Sequence, residues 1–315
     1  MSVFSPSAAA RTAAPAPERR RRWRGGRRGA RSWFVVPLAV FFALFSLYPM
    51  WVLLRMSVSS VTASTLNTDW LFVGLENFRS GIETGQTGAA LWRTLVFVVV
   101  ITVIGMLGGL AAAIALRTAG WWSAALLAIM VFAWALPPVV NGSVWKFLVA
   151  DAGLFNTIAR ALGLTGTAFP FLYDQYWALG TVAFVNSWAV IPFNALVYRA
   201  SFLNIGPEVF EAGAIDGASK WQEVRHIMLP SVRATTLVLL VLTIVFGFRS
   251  FDYIYVMTFG GPGTATNTLP FLGYLQAFSR YNFGLGAATS VIAVLIVLVM
   301  AAVYAGSIYR EESGE

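Results

Sequence analysis

Six stretches of this chain, at about 33–57, 91–116, 122–149, 176–199, 233–255 and 285–308, each run for more than 20 mostly apolar residues. A helix rising about 1.5 Å per residue needs roughly 20 apolar residues to cross the ~30 Å hydrocarbon of a bilayer, where each backbone N–H and C=O has to be paired within the segment. The pattern predicts an all-α membrane protein of six transmembrane helices, with the lipid bilayer as its solvent. Composition agrees: 58% hydrophobic and 11% charged residues, with mean hydropathy +0.71, are too apolar for a soluble domain of 315 residues.

Charge orients the spans. Net charge is +8, and nine of the 22 basic residues lie between Arg11 and Arg31, eight of them in RRRRWRGGRRGAR directly before the first apolar stretch. Arginines in that place are expected on the cytoplasmic side, which outweighs their other use as a nucleic-acid patch; no nucleic acid is expected as a partner. The first apolar run exceeds a signal-peptide core and lacks a small-residue cleavage site, so it reads as a retained span. Residues 1–32 are expected to be a disordered basic cytoplasmic tail, 33–309 the transmembrane domain and 310–315 a short cytoplasmic tail. Alternation then puts Arg117, the segment 206–230 and both termini inside, in the cell (inner) membrane. Three loops face out, at about 62–90, 151–175 and 257–283, the second with a short interfacial helix in DAGLFNTIARALGL. The outer loops carry Arg79, Arg160 and Arg280, so the inside-positive bias rests mainly on the tail.

Several chemistries are excluded. Cysteine is absent and His226 is the one histidine, which leaves no thiolate site and makes a His-based metal site improbable. The two lysines, Lys146 and Lys220, follow no G-x-x-x-x-G, so ATP would have to be bound by another chain. No catalytic constellation is found, and no cofactor is expected on this chain. In the second stretch Gly105, Gly109 and Ala113 lie four apart on one face, the small-residue pattern that lets two helices approach closely. Arg249 and Asp252, three apart in the fifth, either pair with each other at the helix end or line a polar path.

The densest polar segment is EAGAIDGASKWQEVRHIMLP, from Glu211 to Pro230. Pro207 suits a helix's first turn, Glu208 and Glu211 favour its positive end, and the helix is expected to run to Ile215 and break at Gly217. Ser219 and Gln222 form a capping-box pattern, so a second helix is expected from there to Pro230. Phe210, Ala214 and Ile215 are expected near one side of the first helix, and the small Ala212, Gly213 and Ala218 leave room for a partner's groove. The residues alone leave two readings open: a docking helix, or an ordinary amphipathic re-entry helix between spans.

This segment resembles the EAA loop of ABC importer permeases, whose pattern is E-A-A, then D-G-A three residues on, then I-x-L-P. Gly213 departs from the third letter of E-A-A, at a helix cost of roughly 1 kcal/mol, and Val224 stands where an aromatic is frequent. FVGLENF, the Phe251-Asp252 pair followed by YIYVMTFGGPGTATNTL, and LQAFSRYNFGLGAA are similar to phrases of the carbohydrate-uptake (MalF/UgpA-like) permeases. The resemblance spans roughly residues 34–309.

It implies an importer in which this chain pairs with a second, MalG-like permease. Two cytoplasmic ABC ATPase subunits, holding ATP and Mg, would dock on Glu211, Ala212, Gly213, Ala214, Asp216, Gly217 and Ala218, and an external solute-binding protein would deliver a sugar. Gly217 would be the bend of the lever. The path between the flanking spans would be lined by Val190, Phe193, Asn194, Phe246, Gly247, Arg249 and Ser250, with Phe193 and Phe246 stacking on a sugar and Asn194 and Ser250 bonding its hydroxyls. The runner-up cargo is glycerol 3-phosphate or a related phosphodiester, with Arg249 as its partner. Outside this family the rivals are a standalone secondary transporter using Arg249 and Asp252, and a scaffold that transports nothing.

Overall fold

The computed structural model describes residues 36–118 and 120–313. The expected basic tail, residues 33–35 of the first span and residues 314–315 of the C-terminal tail lie outside them. In chain order the elements are α1 (Val36–Ser57), an antiparallel pair β1 (Ser59–Ser60) and β2 (Leu71–Phe72), α2 (Glu76–Glu83), α3 (Gln86–Ala115), α4 (Trp121–Ala135), α5 (Pro138–Leu148), α6 (Leu154–Ala161) and α7 (Ala178–Leu203). Then come α8 (Pro207–Ile215), α9 (Lys220–Ser231), α10 (Arg233–Arg249), α11 (Asp252–Met257), α12 (Leu269–Tyr274) and α13 (Phe283–Ser313). Among the described residues the fold is all-α apart from one pair of two-residue strands.

Among the described residues four unbroken helices, α1, α3, α7 and α13, are long and apolar enough to cross a membrane. Two of the six expected spans are interrupted. The expected helix over 122–149 turns by 103° between α4 and α5. Leu136 and Pro137 are extended there, with ψ of 134° and 137°, because each precedes a proline, whose ring excludes the helical conformation of the residue before it. The expected helix over 233–255 stops at Arg249 and resumes at Asp252, with Ser250 at ψ 110°. At 17 residues α10 is about 25 Å long, short of the hydrocarbon thickness, and it meets α9 at 69°.

Two compact units divide the chain at Met50. In the first, the helix from Val36 exposes its apolar side chains, with the Phe41 and Phe45 rings 4.8 Å apart. In the second, the most extensive packing joins α3 to α7, and the small-residue face explains it. A methyl on Gly105 would lie 3.3 Å from Val190 Cγ1, and one on Gly109 3.1 Å from the Ala195 backbone nitrogen, so only glycine lets the two backbones come this close. In lipid, where burial of apolar surface does not by itself drive helices together, such close contact supplies the dispersion energy that does. Phe97, Ile101, Val182, Val185, Ile254 and Phe271 fill the core alongside this seam. Asp151–Gln175 holds α6, the short helix expected there.

Candidate functional site

The segment 206–230 is shaped first by local chemistry. Gly206 is extended, Pro207 occupies the first turn of α8, and Glu208 lies at its positive end. The helix ends where Gly217 takes φ +76°, a left-handed conformation that costs an L-residue roughly 1–2 kcal/mol. There the Gly217 N–H donates to Ala214 O (3.1 Å) and the Ala218 N–H to Gly213 O (2.9 Å). This reciprocal pair satisfies two carbonyls that a helix end otherwise leaves open. Ser219 then caps α9 as a capping box: Gln222 N–H donates to Ser219 Oγ (3.4 Å) and Ser219 N–H to Gln222 Oε1 (2.7 Å).

Tertiary contacts seat this helix pair on the ends of two spans. Arg117, just past α3, donates from Nη2 to Glu223 Oε2 at 2.8 Å and stacks its guanidinium 5.4 Å from the Phe210 ring centroid. Lys220 Nζ reaches Glu223 Oε1 at 2.6 Å, so the Glu223 carboxylate, 2% exposed, is held between two cations. Hydrogen bonds from Lys220 and then Arg117 keep its carboxyl below the usual glutamate range. Arg199, near the end of α7, donates from Nε to Leu116 O at 2.9 Å. Beneath, Phe202, Met228 and Val232 form a buried cluster on which Phe210 packs. A cavity of about 440 Å³ remains between α8 and these ends, bordered by Arg117, Arg199 and Glu211.

Of the residues expected to couple, Glu211, Ala212, Ala214, Asp216 and Gly217 are exposed, and Gly213 and Ala218 are half-buried. Phe210 turns inward, whereas Ile215, expected near the same side, is 87% exposed. With Trp221, 68% exposed, Ile215 puts large apolar surface beside these small residues. The local sequence did not single out Arg199 or Trp221, and it gave no partner for Arg117 or Glu223. Charge and bulk at helix ends were the available signals, but Arg117 and Glu223 are 106 residues apart. His226 is exposed, its Nδ1 3.2 Å from Gln222 O within its own helix.

The residues expected along a path are divided. Phe193 and Phe246 meet edge to face at 5.7 Å, and Trp134 stacks on Phe193 at 5.8 Å. Val190 and Asn194 instead pack against Gly105 and Gly109; Asn194 is fully buried, its Oδ1 accepts from Thr243 Oγ1 (3.3 Å) and its Nδ2 has no hydrogen-bond partner among the described residues. Gly247 abuts Val98, and Ser250 Oγ accepts from Asn186 Nδ2. Arg249 is exposed on a separate, mainly apolar groove of about 860 Å³ with Phe251, Tyr274 and Ser290. The expected pairing of Arg249 with Asp252 does not occur among the described residues, because the helix break at Ser250 and Phe251 removes the three-residue helical spacing.

Residues 104–309 match the family described as the binding-protein-dependent transport system inner membrane component. The chain is 30% identical over 265 residues to the sn-glycerol-3-phosphate transport system permease protein UgpA of Pectobacterium atrosepticum, covering 84% of this chain and 88% of that protein. It is 29% identical over 278 residues to the trehalose/maltose transport system permease protein MalF of Thermococcus litoralis, covering 86% and 90%. Its fold matches a chain of a bacterial ABC transporter involved in the import of the acidic polysaccharide alginate, with TM-score 0.72 at 22% identity, over 87% of this chain and 96% of that one.

Proposed function

Because the chain belongs to the binding-protein-dependent transport system inner membrane components, multi-pass permeases of ABC transporters, we propose that it moves a sugar, of di- or oligosaccharide size, inward by alternating access. Relatives named for trehalose/maltose and for diacetylchitobiose support a sugar cargo. In this reading both termini and segment 206–230 are cytoplasmic. A second, MalG-like permease completes the pathway. Two ABC ATPase subunits bind and hydrolyse ATP with Mg, so this chain does no catalysis itself, and an extracytoplasmic binding protein delivers the sugar.

The observation that carries the reading is the clamped helix α8. Its small residues Ala212, Gly213, Ala214 and Ala218, beside Glu211, Asp216 and Gly217, offer a partner a surface of close approach, while Arg117–Glu223 ties that surface to the end of α3. A push on α8 is thereby transmitted to α3 and α7 together. The Phe193–Phe246 pair lies between the moving spans, and its rings suit the apolar face of a sugar. Asn194, with its unsatisfied Nδ2, would join that path when α7 shifts against α3; Val190, Gly247 and Ser250 flank it.

A second cargo, glycerol 3-phosphate or a related phosphodiester, is favoured by Arg249, which lines an apolar groove with no ion-pair partner among the described residues. Reconstitution of the permease pair, ATPases and binding protein in proteoliposomes tests both. ATP-dependent uptake of radiolabelled maltose-class sugars is expected; uptake of glycerol 3-phosphate alone selects the second cargo, and uptake driven by an ion gradient without ATP refutes the ABC mechanism.

A further inference from the structure

The span α4 starts at Trp121 and Trp122, both exposed, with their rings stacked at 3.7 Å. Coming just after Arg117, they suit the cytoplasmic membrane interface, where one side of an indole is apolar and its N–H stays wet. Trp134 stands thirteen residues further along α4, about 20 Å of helix. In a hydrocarbon layer about 30 Å thick, that places Trp134 at membrane depth, away from the interfacial belts where tryptophan is ordinary.

Ser123 is buried and Leu127 and Met130 are half-buried, and Trp134 follows them at helical spacing, so it lies on the face of α4 that packs on α7. Its indole stacks on Phe193 of α7 at 5.8 Å with the planes 27° apart, and Phe193 meets Phe246 of α10 edge to face. Three spans thus contribute one ring each to a single cluster. Leu136 and Pro137, extended because each precedes a proline, end α4 one residue after Trp134 and fix the backbone that carries the ring. Trp134 nevertheless stays 48% exposed on this packing face, and its Nε1–H has no hydrogen-bond partner among the described residues.

An open N–H at that depth is costly against lipid, because acyl chains offer no acceptor. A sugar supplies both things the indole lacks. The C–H face of a pyranose covers the ring surface that Phe193 leaves open, and a hydroxyl oxygen at its edge accepts the Nε1–H. Phe193 and Phe246 offer stacking surface but no donor, so the polar contact in this cluster can come from Trp134 alone. We propose that Trp134 touches the cargo directly, its indole stacked on a pyranose ring and its Nε1–H donated to one hydroxyl, and that it thereby sets which hydroxyl pattern the pathway accepts. The inference rests on the sugar-importer reading above.

The test is ATP-driven uptake by the complete transporter in proteoliposomes at saturating binding protein, with radiolabelled maltose and its monodeoxy analogues as probes. Wild type and variants share one binding protein, so its own preferences cancel in the comparison. Trp134→Phe keeps a stacking ring without the donor, and its maltose uptake is expected to fall about threefold. The analogue lacking the contacted hydroxyl, carried more slowly than maltose by wild type, should be carried by this variant as fast as maltose. Trp134→Ala, without ring or donor, should lose about tenfold in uptake while its melting temperature and its ATPase stimulation by loaded binding protein stay near wild type. Trp121→Phe, at the interface, should behave as wild type. Should Trp134→Ala be unstable, the analogue series with Trp134→Phe decides by itself. Wild-type rates for every probe in Trp134→Phe overturn the proposal, and so does a fall by the same factor for all probes, which marks packing alone. Failure of both Trp134 variants to co-elute with the second permease assigns the ring to the contact between permeases and equally overturns it. A wild-type transporter that carries no sugar with ATP refutes the importer reading instead.

Discussion

Replacing Gly217 tests whether the turn between α8 and α9 is held by backbone conformation. Its φ of +76° is out of reach for proline, whose ring fixes φ near −65°, and proline also removes the N–H that donates to Ala214 O. Gly217→Pro therefore costs roughly 3 kcal/mol or more at this turn. Gly217→Ala keeps the hydrogen bond and meets only the left-handed penalty of roughly 1–2 kcal/mol, while Gly217→Asn, a residue that tolerates this region, costs less. A Cβ at Gly217 meets nothing of this chain within 4 Å, so steric crowding adds nothing in the free permease. ATP-driven uptake in vesicles, normalised to permease in the membrane, is expected to fall in the order Gly, Asn, Ala, Pro, with Pro inactive. Wild-type uptake by Gly217→Pro, or Asn performing as poorly as Pro, would refute the reasoning. Ala and Leu should lose thermal stability alike in the isolated permease. An extra uptake loss for Leu that requires the assembled ATPases would measure the partner's surface.

Gly213→Ala is expected to raise the thermal stability of the permease, by roughly 0.5–1 kcal/mol. The added methyl meets Ile227 Cδ1 at 3.4 Å and Ala218 Cβ at 3.8 Å, ordinary contact distances, and a lowered melting temperature would contradict this. Gly109→Ala should do the opposite, costing roughly 1–3 kcal/mol by overpacking against the α7 backbone, whereas Gly88→Ala, with nothing within 4 Å, should be neutral or stabilising; equal effects in detergent unfolding would discount the α3–α7 seam. For Glu223 the folded-state carboxyl titrates below its ordinary range. Its stabilising contribution is complete above roughly pH 4.3, the unfolded value, and is lost as pH falls through the lower folded one. Melting temperature should therefore drop more steeply below pH 4 in wild type than in Glu223→Gln, and parallel curves would show that the clamp contributes nothing.

How much was legible depended on how far each cause reaches along the chain. Pro207, Gly217 and the Ser219–Gln222 box act over one helical turn, and their helix start, left-handed stop and cap stand where the local rules put them. The Pro137-Pro138 pair was equally local evidence for the 103° turn, but counting apolar residues across it hid the break. Nothing local marks the break at Ser250, whose hydroxyl accepts from Asn186, 64 residues away. The separation of Phe193 from Asn194 has a simpler origin. Neighbours in a helix point about 100° apart, so one faces Phe246 while the other is sealed against Gly109.

By itself, then, the amino-acid order determined the membrane as solvent, the helical class, the small-residue seam and the paired helices with their hinge, because apolar length, side-chain size and backbone allowance act within single segments. Tertiary structure alone decided that Arg117 meets Glu223, that Asn194 is buried, and that Trp134 stacks on Phe193. Those facts need helices distant in sequence to be brought side by side, and the positions of partner charges in space are set by packing, which no single segment encodes.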